Sequence, residues 1–89
     1  MRVEEAAETI TKKLEEKGYK TKQLKDAEGY KIEVDIRGRK AEIRLIEEEQ
    51  QLKELHLRYE NVPGVTILKC ERYDTILKCI EELVNTLKA

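Results

Sequence analysis

The sequence has no serine, phenylalanine or tryptophan, and only one proline, one histidine and two cysteines. Without serine there is no serine nucleophile of the triad type. The four glycines are scattered, so neither a P-loop nor a dinucleotide-binding fingerprint is present. The histidine and the two cysteines do not have the spacing of a structural zinc site. These absences exclude most common catalytic motifs, and we expect no enzyme, no cofactor and no metal site.

Charge of one sign is not in excess, because 18 Lys and Arg face 19 Asp and Glu and give a net charge of −1. This balance provides no bulk attraction to nucleic acid or to a membrane surface. No apolar run approaches the roughly 20 residues of a membrane span. The first residues also lack the apolar core of a signal peptide. The sequence therefore predicts a cytoplasmic protein with no membrane contact.

The two cysteines, Cys70 and Cys79, are expected to be reduced thiols that pack as small apolar residues. A disulfide between them would require Cα atoms within about 7 Å of each other. Charged residues make up 42 % of the chain, against about 25 % in a typical domain. Abundant Glu and Lys with little Asn and Gln are typical of thermostable proteins and of designed ones. A thermostable protein is predicted, and a designed origin is an open alternative.

Two amphipathic helices are predicted at the ends of the chain, where apolar residues recur at three- and four-residue steps. The first covers residues 3–17 and ends at Gly18, a residue suited to a left-handed cap. The last follows Asp74, which we predict as its N-cap. The apolar faces are Val3, Ala6, Ala7, Ile10 and Leu14 in the first helix, and Ile76, Ile80, Leu83, Val84 and Leu87 in the last.

Between the helices the apolar period changes to two, which is typical of strands with one buried face. Residues 30–37 and 41–45 alternate most clearly, and residues 37–40 supply the turn between them. Residues 19–25 form a weaker strand, and residues 26–29 form the turn that follows it. Residues 65–70 are expected to be a short extended segment or a fifth strand. The sequence thus predicts an antiparallel meander.

The secondary structure of residues 47–60 can be interpreted in two ways. Their first half favours a helix by propensity, whereas Leu55, Leu57 and Tyr59 alternate with polar residues as in a strand. We predict a polar turn near residues 48–51 and a fourth strand over 52–60. A short helix over 47–57 is the alternative.

These elements predict a single α+β domain over residues 1–89. Its fold is a two-layer sandwich of N-terminal helix, antiparallel four- or five-strand meander and C-terminal helix, with both helices on one face of the sheet. The strand order is left open. The predicted core is aliphatic and consists of Ile10, Leu14, Ile32, Val34, Ile36, Ile43, Leu45, Leu55, Leu57, Ile76, Ile80, Leu83 and Leu87.

One pentapeptide, Thr-Ile-Leu-Lys-Cys, occurs at residues 66–70 and again at 75–79. The match is too short to be a repeat architecture. We predict that the first copy is extended and the second helical, since context overrides local propensity.

The candidate binding residues lie in a basic stretch. Residues 17–44 contain nine Lys or Arg and five Asp or Glu, and the strand pattern places several of the bases on the solvent-facing side of the sheet or in its turns. Such a surface can follow a phosphate backbone, but no aromatic residue is placed there to stack on bases. The residues for an RNA- or DNA-binding function are Lys20, Lys22, Arg37, Arg39, Lys40 and Arg44.

The remaining chemical option is a nucleophilic cysteine activated by His56. The strand pattern places His56 on the solvent-facing side, whereas Cys79 lies beside the buried helix face. A solvated histidine and packed thiols are the favoured interpretation. The leading hypothesis is therefore a non-enzymatic protein-interaction module that self-associates or binds a protein partner. The alternatives are the nucleic-acid-binding module and a designed scaffold without natural function.

Overall fold

A computed structural model describes residues 1–88 and arranges them as a helix, five strands and a second helix. Helix α1 covers Val3–Glu16 and helix α2 covers Ile76–Thr86. A one-turn 3-10 helix, Cys70–Arg72, precedes α2. Neither α-helix is long and apolar enough to cross a membrane. The strands are β1 (Lys20–Asp26), β2 (Gly29–Ile36), β3 (Arg39–Glu48), β4 (Gln51–Tyr59) and β5 (Thr66–Lys69).

The five strands form one antiparallel meander in the order β1-β2-β3-β4-β5. Every strand therefore pairs with its neighbour along the chain, and β1 and β5 are the two edges. Helix α1 packs mainly on β1 and β2, and α2 packs on β4 and β5. The predicted two-layer α+β fold is confirmed, with five strands.

Two of the hairpins have two-residue turns in which both residues take positive φ. The β2–β3 turn has Arg37 at 53° and Gly38 at 95°, and the β3–β4 turn has Glu49 at 53° and Gln50 at 68°. This backbone matches the right-handed twist of paired strands. The polar turn and fourth strand predicted for residues 48–60 are confirmed. The helix alternative is wrong, because the turn reverses the chain inside that segment.

The core is one cluster of aliphatic side chains between the helices and the sheet. Every predicted core residue is buried except Ile76, which is partly buried and packs against the cluster. The start of α2 also differs from the prediction. Thr75, rather than Asp74, is the N-cap, and its hydroxyl accepts the Lys78 N–H at 3.1 Å. Asp74 instead pairs with the ammonium group of Lys78 at 3.3 Å.

Cys70 and Cys79 form a disulfide, with their Cα atoms 5.2 Å apart. The prediction of two reduced thiols is wrong. The 3-10 helix turns the chain after β5, so that the first turn of α2 returns to the end of that strand. The separation of nine positions in the sequence could not by itself show that the chain between the two cysteines closes into such a loop.

The repeated pentapeptide adopts two conformations, as predicted. The first copy forms β5 and enters the 3-10 helix, and the second forms the N-cap and first turn of α2. Each copy ends at one cysteine of the disulfide. Identical local sequence is therefore directed by its tertiary partners, β4 in one case and the core in the other.

Candidate functional site: outer sheet face and β5 edge

The outer face of the sheet, which points away from the helices, has a row of side chains that crosses all five strands. Strand register places Leu24, Lys31, Arg44, His56 and Ile67 next to one another in this row. The three central residues are basic, and the two at the edges are apolar. The row is therefore the first place to look for an anion site.

Each basic group of this row has an acidic partner within the same chain. The Lys31 ammonium lies 3.3 Å from the Glu42 carboxylate, the Arg44 guanidinium 3.2 Å from Asp26, and the His56 ring 2.9 Å from Glu54. The charges of Lys31 and Arg44 are therefore already neutralised locally. The row offers little attraction to a phosphate.

Arg44 makes the best-formed of these pairs. Its two terminal nitrogens each lie 3.2 Å from one oxygen of the Asp26 carboxylate, and Glu28 lies 3.7 Å away. The β1–β2 turn fixes Asp26, whose carboxylate also accepts the Glu28 N–H at 2.9 Å. The hydrogen bond from Arg44 and that from the Glu28 amide lower the pKa of Asp26 below its ordinary value of 3.8.

The Arg44–Asp26 pair predicts a specific acid dependence. Because the pKa of Asp26 is lower in the folded chain, its contribution to stability is present above the ordinary pKa of 3.8 and is lost as the pH falls through the folded value. Replacing Arg44 by glutamine removes the main cause, so the pKa of Asp26 should rise. Carboxyl NMR titration of both proteins measures this shift. An unchanged Asp26 pKa in R44Q would contradict the assignment.

Beside this row the outer face has a shallow depression of about 550 Å³. It is lined by residues of β1, β2, β3 and β4 together with Glu60, and most of these residues are charged. Four are basic and four are acidic, so the depression has no net charge. The charged residues are Lys20, Lys22, Lys40, Arg58, Glu33, Asp35, Glu42 and Glu60.

The structure does not bring the six candidate nucleic-acid residues together on one surface. Lys20, Lys22 and Lys40 line the depression, interspersed with its acids. Arg37 lies in the β2–β3 turn and is exposed. Arg44 is in the neighbouring row, paired with Asp26. The sixth, Arg39, lies elsewhere.

Arg39 is not part of the outer face. The β2–β3 turn contains only two residues, so Arg39 pairs with Ile36 and points to the helix side of the sheet. Its guanidinium lies 3.8 Å from the centre of the Tyr59 ring, and it donates a hydrogen bond to the Lys88 carbonyl at 3.3 Å. The prediction that Arg39 joins the basic face or its turn fails, because the turn was expected to include residues 37–40.

The cysteine–histidine option has no support in the arrangement of these groups. Cys70 and Cys79 are 1 % and 0 % exposed and are bonded to each other, so neither sulfur is a thiolate in this state. His56 faces outward, on the opposite side of the sheet from α2. Within residues 1–88, no group of three or more His, Cys, Asp or Glu side chains could hold a metal ion.

The two edges of the sheet differ in chemistry. Strand β1 presents exposed lysines at positions 20, 22 and 25, and charges of this kind prevent an edge from pairing with another strand. At the other edge Val65 and Ile67 are 45 % and 49 % exposed. Val62, in the preceding loop, is 46 % exposed. We call the segment of Val65 and β5 the β5 edge.

Sequence reasoning did not identify the β5 edge. A signal was present, since Ile67 and Leu68 are both apolar and fall on opposite faces of the strand. An edge strand that is apolar on both faces has one apolar face left for a partner.

No protein-family model matches the chain, and neither a curated protein nor a solved structure is significantly similar to it. The case for its function therefore rests on the surfaces described above.

Proposed function

We propose that this chain is a non-enzymatic interaction module that self-associates by pairing the β5 edge with the β5 edge of a second copy. The contrast between the two edges supports this proposal. The β1 edge is protected by lysines, whereas the β5 edge exposes Val65 and Ile67. Pairing β5 with the β1 edge of another copy would give an open chain of molecules, and the lysines oppose it.

A second copy fits the β5 edge because the strand is compatible with itself in antiparallel pairing. Residues that lie opposite each other in such a pair must point to the same face. If Ile67 lies opposite Ile67 of the second copy, then Val65 lies opposite Lys69. Thr66 lies opposite Leu68 on the helix side. The outer face then gains a contact between the two Ile67 side chains, flanked by the aliphatic stems of Lys69.

Sedimentation equilibrium of the wild type and of Ile67→Lys tests this proposal. The wild-type mass should rise with concentration from 10.5 kDa towards twice that value. Ile67→Lys places two like charges opposite each other and removes the apolar contact. We expect it to raise the dimer dissociation constant at least about tenfold, which corresponds to about 1.4 kcal/mol.

Leu24→Lys is the matched control. Leu24 lies in the same cross-strand row as Ile67, on the same face and at the opposite edge. It should leave self-association unchanged. If Leu24→Lys weakens the dimer as much as Ile67→Lys does, the β5 edge is not the interface. If the wild type stays at 10.5 kDa at every concentration, the proposal fails and the designed-scaffold alternative gains support.

The nucleic-acid-binding alternative is less well supported. Of its six residues, Arg44 is paired with Asp26 and Arg39 stacks on Tyr59. The three lysines line the depression, whose charged residues are four bases and four acids, so it has no surplus of positive charge. Binding that depends on counterion release needs a surplus of positive charge on one surface.

A further inference from the structure

We propose that the Cys70–Cys79 disulfide is a redox gate for self-association, which holds the β5 edge in its pairing position when oxidised and releases it when reduced. This inference rests on the proposed function, because the edge it controls is the proposed interface. Cys70 is the residue directly after β5. A change at the disulfide is therefore transmitted to the edge through one peptide bond.

The segment that contains the β5 edge has few anchors. Of residues 60–70, only Leu68 and Cys70 are buried, at 7 % and 1 % exposure. Within residues 1–88, β5 has a single strand neighbour, β4, and is the shortest strand of the sheet. Segments with so few buried contacts open at low free energy. The disulfide at Cys70 and the buried Leu68 side chain are thus the two side-chain attachments of residues 60–70 to the core.

The other end of the bond is firmly held. Cys79 is 0 % exposed and belongs to the buried face of α2, next to Ile80. Helix α2 packs on α1 as well as on β4 and β5, so it stays attached to the core independently of the edge. The disulfide therefore fastens a weakly anchored strand to a well-anchored helix. Reduction should free the strand while leaving the helix in place.

The reductant is a dithiol. One of its thiolates attacks a protein sulfur, breaks the S–S bond and forms a mixed disulfide. Its second thiol then displaces the protein sulfur. Two electrons and two protons pass to the protein, giving the thiols of Cys70 and Cys79 and leaving the dithiol as a disulfide.

The burial of both sulfurs couples reduction of the disulfide to self-association. Both sulfurs are covered when β5 is docked, so attack requires the segment around Cys70 to move away from α2. A partner paired to the β5 edge opposes that movement. Because coupling between two equilibria is reciprocal, dimerisation should protect the disulfide to the same extent that the disulfide favours dimerisation.

Sedimentation equilibrium of three samples tests the gate: the oxidised wild type, the wild type in dithiothreitol, and a Cys70→Ala/Cys79→Ala variant. We expect the oxidised protein to dimerise and the other two to have dissociation constants raised at least about tenfold. In the reduced protein and in the variant, hydrogen exchange of residues 66–69 should be faster than in the oxidised wild type, whereas exchange in β2 and β3 should be unchanged. Circular dichroism should show that both helices persist.

The outcomes separate the two proposals. Equal dimerisation in all three samples overturns the gate and leaves the proposed function standing. A monomeric oxidised protein overturns the proposed function and the gate together. Loss of helical signal on reduction also overturns the gate, because the disulfide would then hold the whole fold.

As a second readout, the rate of disulfide reduction by dithiothreitol should fall as the concentration of wild type rises, and it should not fall for Ile67→Lys. A rate independent of concentration in a wild type that dimerises overturns the gate.

Discussion

Replacing Ile43 by alanine is expected to lower the free energy of unfolding by about 4 kcal/mol, within the range for large-to-small changes in a packed core. Ile43 is 0 % exposed and lies in β3, the middle strand. Its strand neighbours on the buried face are Ile32 and Leu57. Because β-sheet neighbours on both sides hold the backbone in place, the cavity cannot easily collapse.

Ile46→Ala is the control for this substitution, since the same residue type is changed on the opposite face of the same strand. Ile46 is partly exposed and lies beside Glu54 of β4. Its loss should cost less than about 1 kcal/mol. Urea unfolding measures both values. Similar losses for the two variants would show that the helices do not cover the face assigned here.

Removing the disulfide is expected to have the second-largest effect. The bond closes a loop between residues nine apart, and the chain-entropy relation for a loop of that size gives about 2.6 kcal/mol. The Cys70→Ala/Cys79→Ala variant should lose this amount relative to the oxidised wild type. Denaturant unfolding without reductant measures the difference.

The wild type in dithiothreitol is the natural comparison for that variant. Both lack the cross-link, and the variant also lacks two buried sulfur atoms, each comparable to a buried CH2 group of about 0.8 kcal/mol, so their stabilities should agree within about 2 kcal/mol. A variant as stable as the oxidised wild type would show that the cross-link does not restrict the unfolded chain.

Much of the fold can be predicted from the local spacing of apolar residues along the sequence. The two helices have apolar residues at three- and four-residue steps, and apolar and polar residues alternate over residues 30–36 of β2 and 41–45 of β3. Since each of the central strands β2, β3 and β4 buries one apolar face, both helices must cover the same side of the sheet. The ambiguous residues 47–60 became a turn and a strand because β4 completes the core with Leu52, Leu55 and Leu57.

What failed depended on geometry that spacing does not record. The expected turn at residues 37–40 proved to contain two residues, and this difference alone moved Arg39 from the outer face to the helix side. The Cys70–Cys79 bond depends on how a short 3-10 helix redirects the chain after β5. Neither the two-residue turn nor the disulfide has a periodicity or a motif from which it could be predicted.

The candidate site was only partly predictable for a related reason. The basic residues were recognisable, but their acidic partners were not, since Asp26 reaches Arg44 only through the β1–β2 and β2–β3 pairings. The β5 edge becomes visible once strand order is known. Only then does Ile67 lie at a free edge rather than inside the sheet.

The most direct test of self-association through the β5 edge is hydrogen exchange of the oxidised wild type, measured residue by residue at low and at high protein concentration. In the dimer, amides of residues 66–69 that point away from β4 become hydrogen-bonded to the second copy. Their exchange should slow as concentration rises, whereas exchange in β1, at the opposite edge, should not change. Exchange in β5 that is independent of concentration, in a sample whose mass does rise, would contradict the account and place the interface elsewhere.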